Sequence, residues 1–337
     1  MVTVHNNRCG ALSTAGQRAL AGMRARRAST VYRSASKDTG IATESNVRRE
    51  ANSTGPELVC PICHRPLRVA DAYTSSASGL SCAACNRTFS GGNNGIQDLT
   101  LVSGLSSRSF EKRGPNSVEI FKSPVVSGIY ERGWRQSFSW AAFPGVDIEA
   151  DMAMNVLRPV YGQVLVDMSC GSGLFARKFL QSGKFSHVAA VDFSPTMLQE
   201  TQQNFKAASI DPSRYSLVQA DVARLPFQTG SIPGIHAGAA IHCWPEPLLA
   251  MAEMSRVLSP GGIFVGTTFL SFVAPLGEFF GSDDVFKPLR SAEPRTNDFR
   301  WWNEDELRDL CAAAGLENFT VVKRQFRFIM FSCQKPL

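Results

Sequence analysis

The chain has 337 residues, 44% of them hydrophobic, with 35 Lys and Arg against 29 Asp and Glu. This length and hydrophobic content fit a globular protein with one domain of ordinary core size plus additional parts. No apolar run approaches the roughly 20 residues that span a bilayer, which excludes a transmembrane helix. The net charge of +6 is concentrated at one end: residues 1–50 hold nine basic and three acidic side chains, and residues 51–337 hold 26 of each. The basic balance therefore describes the N-terminus and gives no support to a nucleic-acid-binding body.

Residues 1–50 are rich in Ala, Ser, Thr and Arg, and no acidic residue precedes Asp38. That composition predicts an organelle transit peptide, chloroplast or mitochondrial, removed after import. A plain disordered tail is the other reading.

Residues 56–100 form a small Cys-rich module. Cys60-Pro-Ile-Cys63 is followed, after eighteen residues, by Cys82-Ala-Ala-Cys85. Each Cys-x-x-Cys turn aims two thiolates at one point, and two such turns supply the four tetrahedral ligands that Zn2+ prefers. With no ligand position left open, the expected zinc is structural rather than catalytic. His64 neighbours a ligand and is read as a bystander. RNA, a protein surface and the chain's own remaining domain all stay open as what this ribbon touches. The other five cysteines are scattered, and the grouping points to a reducing interior with one metal site.

Residues 101–150 are a connector rich in Ser, Gly and aromatics. Within it Tyr130, Arg132, Trp134 and Arg135 read either as a lid or as an amphipathic helix packed on a sheet. From 151 to 337 strand and helix alternate. The apolar runs predict strands at 164–168, 187–192, 215–219, 235–240 and 262–269, with helices near 174–182, 195–208 and 246–258. Asn303, with Glu306 three residues on, makes a capping-box start to another helix, and Gly315 is positioned to stop it. Two last strands, near 318–324 and 326–333, read as an antiparallel hairpin at the sheet edge, with Lys323 and Arg324 marking its turn. The alternation predicts an α/β, Rossmann-like fold: seven strands in a mainly parallel sheet, helices on both faces, and a small zinc-ribbon module before it.

Residues 164–173 read VLVDMSCGSG, a β-branched run, an acid and a glycine-rich turn, and LFARKFLQSG continues at helical spacing. A strand that hands over to a helix through small residues presents free backbone N–H groups and a positive dipole end to a ligand. Asp192 ends the next strand, nineteen residues beyond Gly173, where a carboxylate can accept hydrogen bonds from both hydroxyls of a ribose. A nucleoside-containing cofactor follows. A hydride-transferring enzyme normally wants G-x-G-x-x-G, whereas the spacing from Gly171 gives G-S-G-L-F-A.

Four segments occur in order: DMSCGSG (167–173), VDFSPTML (191–198), QADVARLPF (219–227) and RVLSPGGIFVGTTF (256–269). Residues 145–337 thereby resemble the class I S-adenosylmethionine-dependent methyltransferases, especially the branch with the ubiquinone and menaquinone C-methyltransferases. The resemblance implies that Asp167, Ser169, Cys170, Gly171 and Gly173 line the methionine part of the cofactor. It implies that Asp192 holds the ribose, that Met197 lies beside the adenine, and that Asp221 bonds the adenine amino group with Val222 supplying a backbone N–H. Two positions depart from the general pattern. Ser169 stands where glycine is usual, which a small side chain tolerates if the backbone stays out of the left-handed region. Pro233-Gly234 stands where an acid usually introduces the fourth strand, a change that either alters only a turn or lowers cofactor affinity. Together with FKSPVVSGIYERGWRQSF (121–138) and HAGAAIHCWPEP (236–247), the Cys module and turn resemble plant and algal plastid methyltransferases of the methyltransferase type 11 family. Those are similar to the quinone methyltransferases and are associated with chloroplast lipid bodies, which tips the leader toward the chloroplast, in plastoglobule or stroma.

Methyl transfer from a sulfonium is a displacement that needs alignment and exclusion of water, and a base if the acceptor must lose a proton. His242, after strand four at the carboxyl edge of the sheet, is the candidate base; a pocket-wall histidine is the alternative. Trp244 is a hydrophobic wall in either case. Residues 270–302 carry Phe272, Phe279, Phe280, Phe286, Phe299, Trp301 and Trp302, either a cover over an apolar, aromatic or prenylated acceptor or core. A small-molecule acceptor is therefore expected. The rival is rRNA guanine methylation with the ribbon docking RNA, for which Arg65, Arg68, Arg87, Lys112 and Arg113 are the local cations. A non-catalytic protein that binds the cofactor and a partner protein is the third reading.

Overall fold

The β-branched runs become the middle of one eight-stranded sheet in a computed structural model that describes residues 55–69, 79–91, 95–104, 136–271 and 299–337. The leader, the connector residues Tyr130, Arg132, Trp134 and Arg135, the cations Lys112 and Arg113, and Phe272, Phe279, Phe280 and Phe286 lie outside the described residues. Contacts divide the chain into Met1–Arg49 and Glu50–Leu337, and all described residues belong to the second unit.

Strands β1 (Arg68–Val69), β2 (Leu80–Cys82) and β3 (Arg87–Phe89) form a small antiparallel sheet. Then come β4 (Ile96–Asp98), α1 (Val146–Val156), β5 (Val164–Met168), α2 (Leu174–Gln181), β6 (His187–Asp192), α3 (Pro195–Ala207) and β7 (Tyr215–Gln219). The chain ends with β8 (Ile232–Ala237), α4 (Pro247–Val257), β9 (Leu258–Phe269), α5 (Glu304–Ala313), β10 (Glu317–Gln325) and β11 (Phe328–Gln334). The large sheet has the order β10-β11-β9-β8-β5-β6-β7-β4, and β11 alone runs against its neighbours. Seven of these strands follow residue 163, as the alternation predicts. The eighth, β4, comes from the Cys-rich segment and pairs in parallel with β7, Ile96 opposite Leu217 and Asp98 opposite Gln219.

The alternation of side chains explains the continuous apolar runs. In β6, Val188 and Ala190 enter one core, Ala189 and Val191 the other, and all four are fully buried. Parallel strands covered on both faces need no polar side chain to alternate with. Phe175 and Phe179 of α2 and Leu198 and Phe205 of α3 cover one face. Met251 and Met254 of α4, Leu307 of α5, and Cys60, Phe89 and Leu99 of the Cys-rich segment cover the other. The module is thus welded to the chain's own domain. Val59 N–H donates to the Pro226 carbonyl at 2.9 Å, Leu99 N–H donates to Gln219 at 2.8 Å, and Leu58 bridges to Phe227.

Three expectations are corrected. The fourth predicted strand begins at Ile232, so Pro233 and Gly234 lie inside it, where the pairing with β9 shifts register between Ile232 and Gly234. Proline has no N–H to offer a ladder and is tolerated at such an irregularity. A Cβ on Gly234 would stand 3.0 Å from Val160 and 3.3 Å from Leu165, so the glycine lets the chain after α1 pack on the sheet. The strand also stops at Ala237, because Ala239 takes a positive φ of 50°. Finally, the hairpin turns at Phe326 and Arg327 rather than at Lys323 and Arg324, which pair within the ladder with Met330 and Ile329. Phe326 takes φ 52°, and Arg327 is buried with its guanidinium 4.8 Å from the Trp140 ring centroid and 4.4 Å from that of Trp301. Aromatic packing, rather than polarity, makes that turn.

Candidate cofactor site and cysteine cluster

After β5 the chain crosses to β6 on one side and later returns to β8 on the other, so the carboxyl ends of β5 and β8 flank the crevice where open α/β sheets bind ligands. The turn leaving β5 is left-handed at three positions, Ser169 (φ 54°), Gly171 (φ 57°) and Gly173 (φ 78°). Gly173 caps α2, and a Cβ there would stand 2.5 Å from Thr201 Cγ2, so α3 has closed over it. The same helix pins the turn's carbonyls: Thr201 Oγ1 donates to Gly171 O at 2.8 Å and Asn204 Nδ2 to Ser172 O at 3.0 Å. Cys170 N–H donates to Val191 O at 3.0 Å, joining the turn to the end of β6. Three hydrogen bonds and the packing of α3 thus brace the turn.

Ser169 does not meet the condition under which a small side chain replaces glycine without cost, because its backbone is left-handed. A non-glycine residue there costs about 1 kcal/mol or more. What offsets it is a hydrogen bond: Trp244 Nε1 donates to Ser169 Oγ at 3.1 Å. Trp244 is therefore a wall with a polar anchor.

Asp192 lies directly across from the turn. Its Oδ2 accepts the Gly171 N–H at 2.9 Å, and its Oδ1 accepts the Ser194 N–H at 2.8 Å. Each oxygen keeps a further lone pair, which two ribose hydroxyls can use. Burial pushes the Asp192 carboxyl up to about 6; the backbone N–H groups of Ser194, Gly171 and Phe193 oppose that rise and the nearby Asp167 charge adds to it. Met197, buried, occupies the first turn of α3, its N–H bound to the Ser194 cap. Asp221 begins the loop after β7, with Oδ1 accepting the Ala223 N–H at 2.9 Å, and Val222 follows it, half-buried. The carboxylates of Asp167, Asp192 and Asp221 thus follow one another at the ends of three neighbouring strands, β5, β6 and β7.

Residues not singled out in the sequence complete the crevice. His236 Nδ1 lies 2.7 Å from Asp167 Oδ1 inside the sheet. The Asp221–Phe227 loop is held from below by α4: Leu225 N–H donates to Glu253 Oε2 at 2.7 Å, and Arg256 donates to the Leu225 and Phe227 carbonyls at 2.9 Å each. Glu253 and Arg256 form an i,i+3 ion pair at 2.6 Å, a helical spacing that the sequence does contain. Burial pushes the Cys243 thiol up to about 12 and raises the Cys170 thiol well above its ordinary value, so neither supplies a thiolate near neutral pH.

His242 is buried on a 3-10 turn after β8, its Nδ1 3.3 Å from Thr268 Oγ1. Its ring stands edge-on to Phe269 (4.9 Å between centroids) and beside Phe299 (5.4 Å). Phe269 is the hub of an aromatic cluster with Phe138, Trp140, Phe143 and Trp301. The aromatic load at 299–302 therefore divides: Trp302 is core, 1% exposed, whereas Phe299 and Trp301 face the His242–Phe269 cluster.

In the Cys module, the sulfurs of Cys60, Cys63, Cys82 and Cys85 all lie within 4.8 Å of one another. Cys60 Sγ and Cys85 Sγ are 3.9 Å apart, and Cys63 Sγ and Cys82 Sγ 3.5 Å. Four sulfurs about 2.3 Å from a tetrahedral zinc stand about 3.8 Å apart, so the donor set fits that ion. Both knuckles are built alike, with the residue after the second cysteine left-handed: His64 at φ 57° and Asn86 at φ 48°. His64 is outside the ligand cluster and serves that backbone turn. No helix among the described residues is long and apolar enough to cross a membrane.

The methyltransferase domain family matches residues 166–266, the span that carries the turn, Asp192, Asp221 and His242. An uncharacterized chloroplastic methyltransferase of Arabidopsis thaliana is 44% identical over 288 residues, 83% of this chain and 79% of its own. A second from the same plant is 40% identical over 286 residues, covering 83% and 78%. A demethylmenaquinone methyltransferase of Staphylococcus aureus is 33% identical over 178 residues, covering 48% of this chain and 70% of its own.

Proposed function

The chain belongs to the methyltransferase-domain family of these plant relatives, and from that premise we propose that it transfers a methyl group from S-adenosylmethionine to a small apolar or aromatic acceptor, of quinone or phenol type, in the chloroplast. The observation that carries this reading is the succession of Asp167, Asp192 and Asp221 around a left-handed, pre-braced turn at the switch point of the sheet. The fit to this cofactor rests on three features: a buried Asp167 oxygen without a partner, an Asp192 carboxylate shared between two backbone N–H groups, and a turn that Gly173 lets close against Thr201.

When bound, S-adenosylmethionine supplies a methyl on a positively charged sulfur, open to in-line displacement. The chain's residues then have separate tasks. Asp192 accepts the ribose hydroxyls while holding Gly171, and Met197 and the Asp221–Val222 loop flank the adenine. Ser169, Cys170 and Gly173 shape the turn along the methionine part, and Asp167 balances its ammonium. Trp244, tied to Ser169, and the Phe269 cluster exclude water from the acceptor side. His242, oriented by the Thr268 hydroxyl, takes the acceptor's proton at its imidazole if one must leave. Cys60, Cys63, Cys82 and Cys85 would hold zinc as a cross-link remote from the chemistry.

The aromatic surroundings of His242 favour a flat, apolar acceptor, and the demethylmenaquinone enzyme among the relatives agrees with that class. RNA has less to hold. Arg87, one local cation of the ribbon, donates to the Leu101 and Ser103 carbonyls, and the module itself packs on its own domain. The chloroplastic relatives and the acid-poor leader support import through a transit peptide over residues 1–50, with stroma or plastoglobule as destination. The experiment is an untargeted transfer assay: plastid lipid extract and plastid RNA, each incubated with methyl-labelled cofactor. Label in the lipid fraction is the expected result, and label in RNA overturns the acceptor class.

A further inference from the structure

β5 and β8 are parallel neighbours, and their register sets Asp167 opposite His236, with both side chains on the face covered by α2. His236 Nδ1 and Asp167 Oδ1 are 2.7 Å apart, with side chains 0% and 2% exposed. The imidazole is enclosed by Phe175 and Phe179, whose ring centroids lie 4.8 and 5.0 Å from its own. A Cβ on Gly238 would stand 2.9 Å from both His236 Cε1 and Phe175, so the chain keeps this pocket open for the histidine. The pair is nevertheless incomplete: Asp167 Oδ2 and His236 Nε2 are both buried without a hydrogen-bond partner.

A sheet interior normally satisfies its polar atoms, and an orphan of this kind calls for an explanation. Valine or leucine at position 236 would fill the same space without an unsatisfied nitrogen. What an imidazole adds is a fixed donor that grips one carboxylate oxygen and leaves the other without a protein partner. That carboxylate stands two residues before Ser169, at the root of the turn that lines the amino-acid end of the cofactor. Buried carboxylates attract cations most strongly when their geometry is fixed beforehand.

We propose that His236 is a positioning residue for the amino-acid end of the cofactor: it holds Asp167 by one oxygen and keeps the other oriented toward the α-ammonium group. This rests on the S-adenosylmethionine reading above. It assigns to His236 a role in recognition of one part of the ligand only, so the loss on its removal is selective. The adenosine half, held at Asp192 and Asp221, does not depend on it.

The test is calorimetric titration of the full chain with two probes, S-adenosylhomocysteine and 5′-methylthioadenosine, which lacks the amino-acid group. His236→Leu is expected to weaken S-adenosylhomocysteine at least tenfold and methylthioadenosine less than twofold. His236→Asn, which retains a donor near the Nδ1 position, is expected to bring the first figure back to within threefold of the parent. Asp167→Asn, which keeps the shape and removes the charge, reproduces the selective loss should His236→Leu not fold. Equal weakening of both probes, or His236→Asn no better than His236→Leu, overturns the proposal. Failure of the parent chain to bind either probe takes down the cofactor reading as well, and so is distinguishable.

Discussion

The cysteine cluster and the cofactor crevice are both built from short turns with left-handed residues, yet they are assembled in opposite ways. Each knuckle of the cluster is complete within five residues, Cys60 to His64 and Cys82 to Asn86, and only the meeting of the two requires the fold. The crevice draws its parts from the ends of β5, β6, β7 and β8, and its turn is held by groups as distant in sequence as Thr201, His236 and Trp244. A local site can be lost as a unit. A dispersed one is weakened part by part. One of the places where the two regions meet is just before the first knuckle, where Val59 and Leu58 bond to Pro226 and Phe227 of the loop that begins at Asp221.

That contact makes the comparison breakable. Replacing Cys60 and Cys82 together by serine removes two of four ligands, and structural zinc contributes folding free energy outright. Bound zinc in metal analysis is expected to disappear. The Leu58–Phe227 and Val59–Pro226 links, about 1 kcal/mol each, go with it, so cofactor affinity falls on the order of tenfold. Unchanged affinity in the zinc-free protein would mean the two regions are energetically independent. Within the crevice the loss is expected in stability, with the zinc site untouched. Gly173→Ala forces a Cβ to within 2.5 Å of Thr201 Cγ2 at φ 78°, and costs about 2–3 kcal/mol in urea unfolding. The smallest effect separates strain from bonding at Ser169. Ser169→Ala loses the Trp244 bond and keeps the strained backbone, costing about 1 kcal/mol. Ser169→Gly loses the same bond and releases the strain, so its net change is near zero. A larger loss for the glycine variant would reverse that assignment.

The same contrast decides what was legible in the sequence. The four clustered cysteines, the seven later strands and the turn after β5 carry local signals: spacing, β-branched runs, and glycines before a helical period. β4 carried none, being three residues long, and its identity as a sheet strand depends on β7 alone. His236 lay unremarked inside a predicted strand, since only the register with Asp167 makes it polar machinery. The β10–β11 turn was misread because Lys323 and Arg324 looked like turn residues, while Arg327 is stabilised in place by two tryptophans. Ser169 is the instructive case. Its departure from glycine was visible, but neither its left-handed backbone nor the indole that compensates could be deduced from neighbours in sequence.

The central claim is that Asp192 binds a nucleoside through an ionised carboxylate at the rim of this turn. Burial raises that carboxyl to about 6, so the free protein takes up a proton there as pH falls through 6. The protonated form can accept fewer hydrogen bonds, and ligand affinity is therefore full above about pH 7 and falls progressively as pH drops below about 6. The direct measurement is titration with S-adenosylhomocysteine at about pH 7.5 and pH 5, for the parent chain and for Asp192→Ala. The parent is expected to bind well at the higher pH and more weakly at the lower, with Asp192→Ala roughly 10- to 100-fold weaker at the higher pH, the range of a hydrogen-bonded charge, and less sensitive to pH. Equal binding by the two proteins at the higher pH would contradict the account.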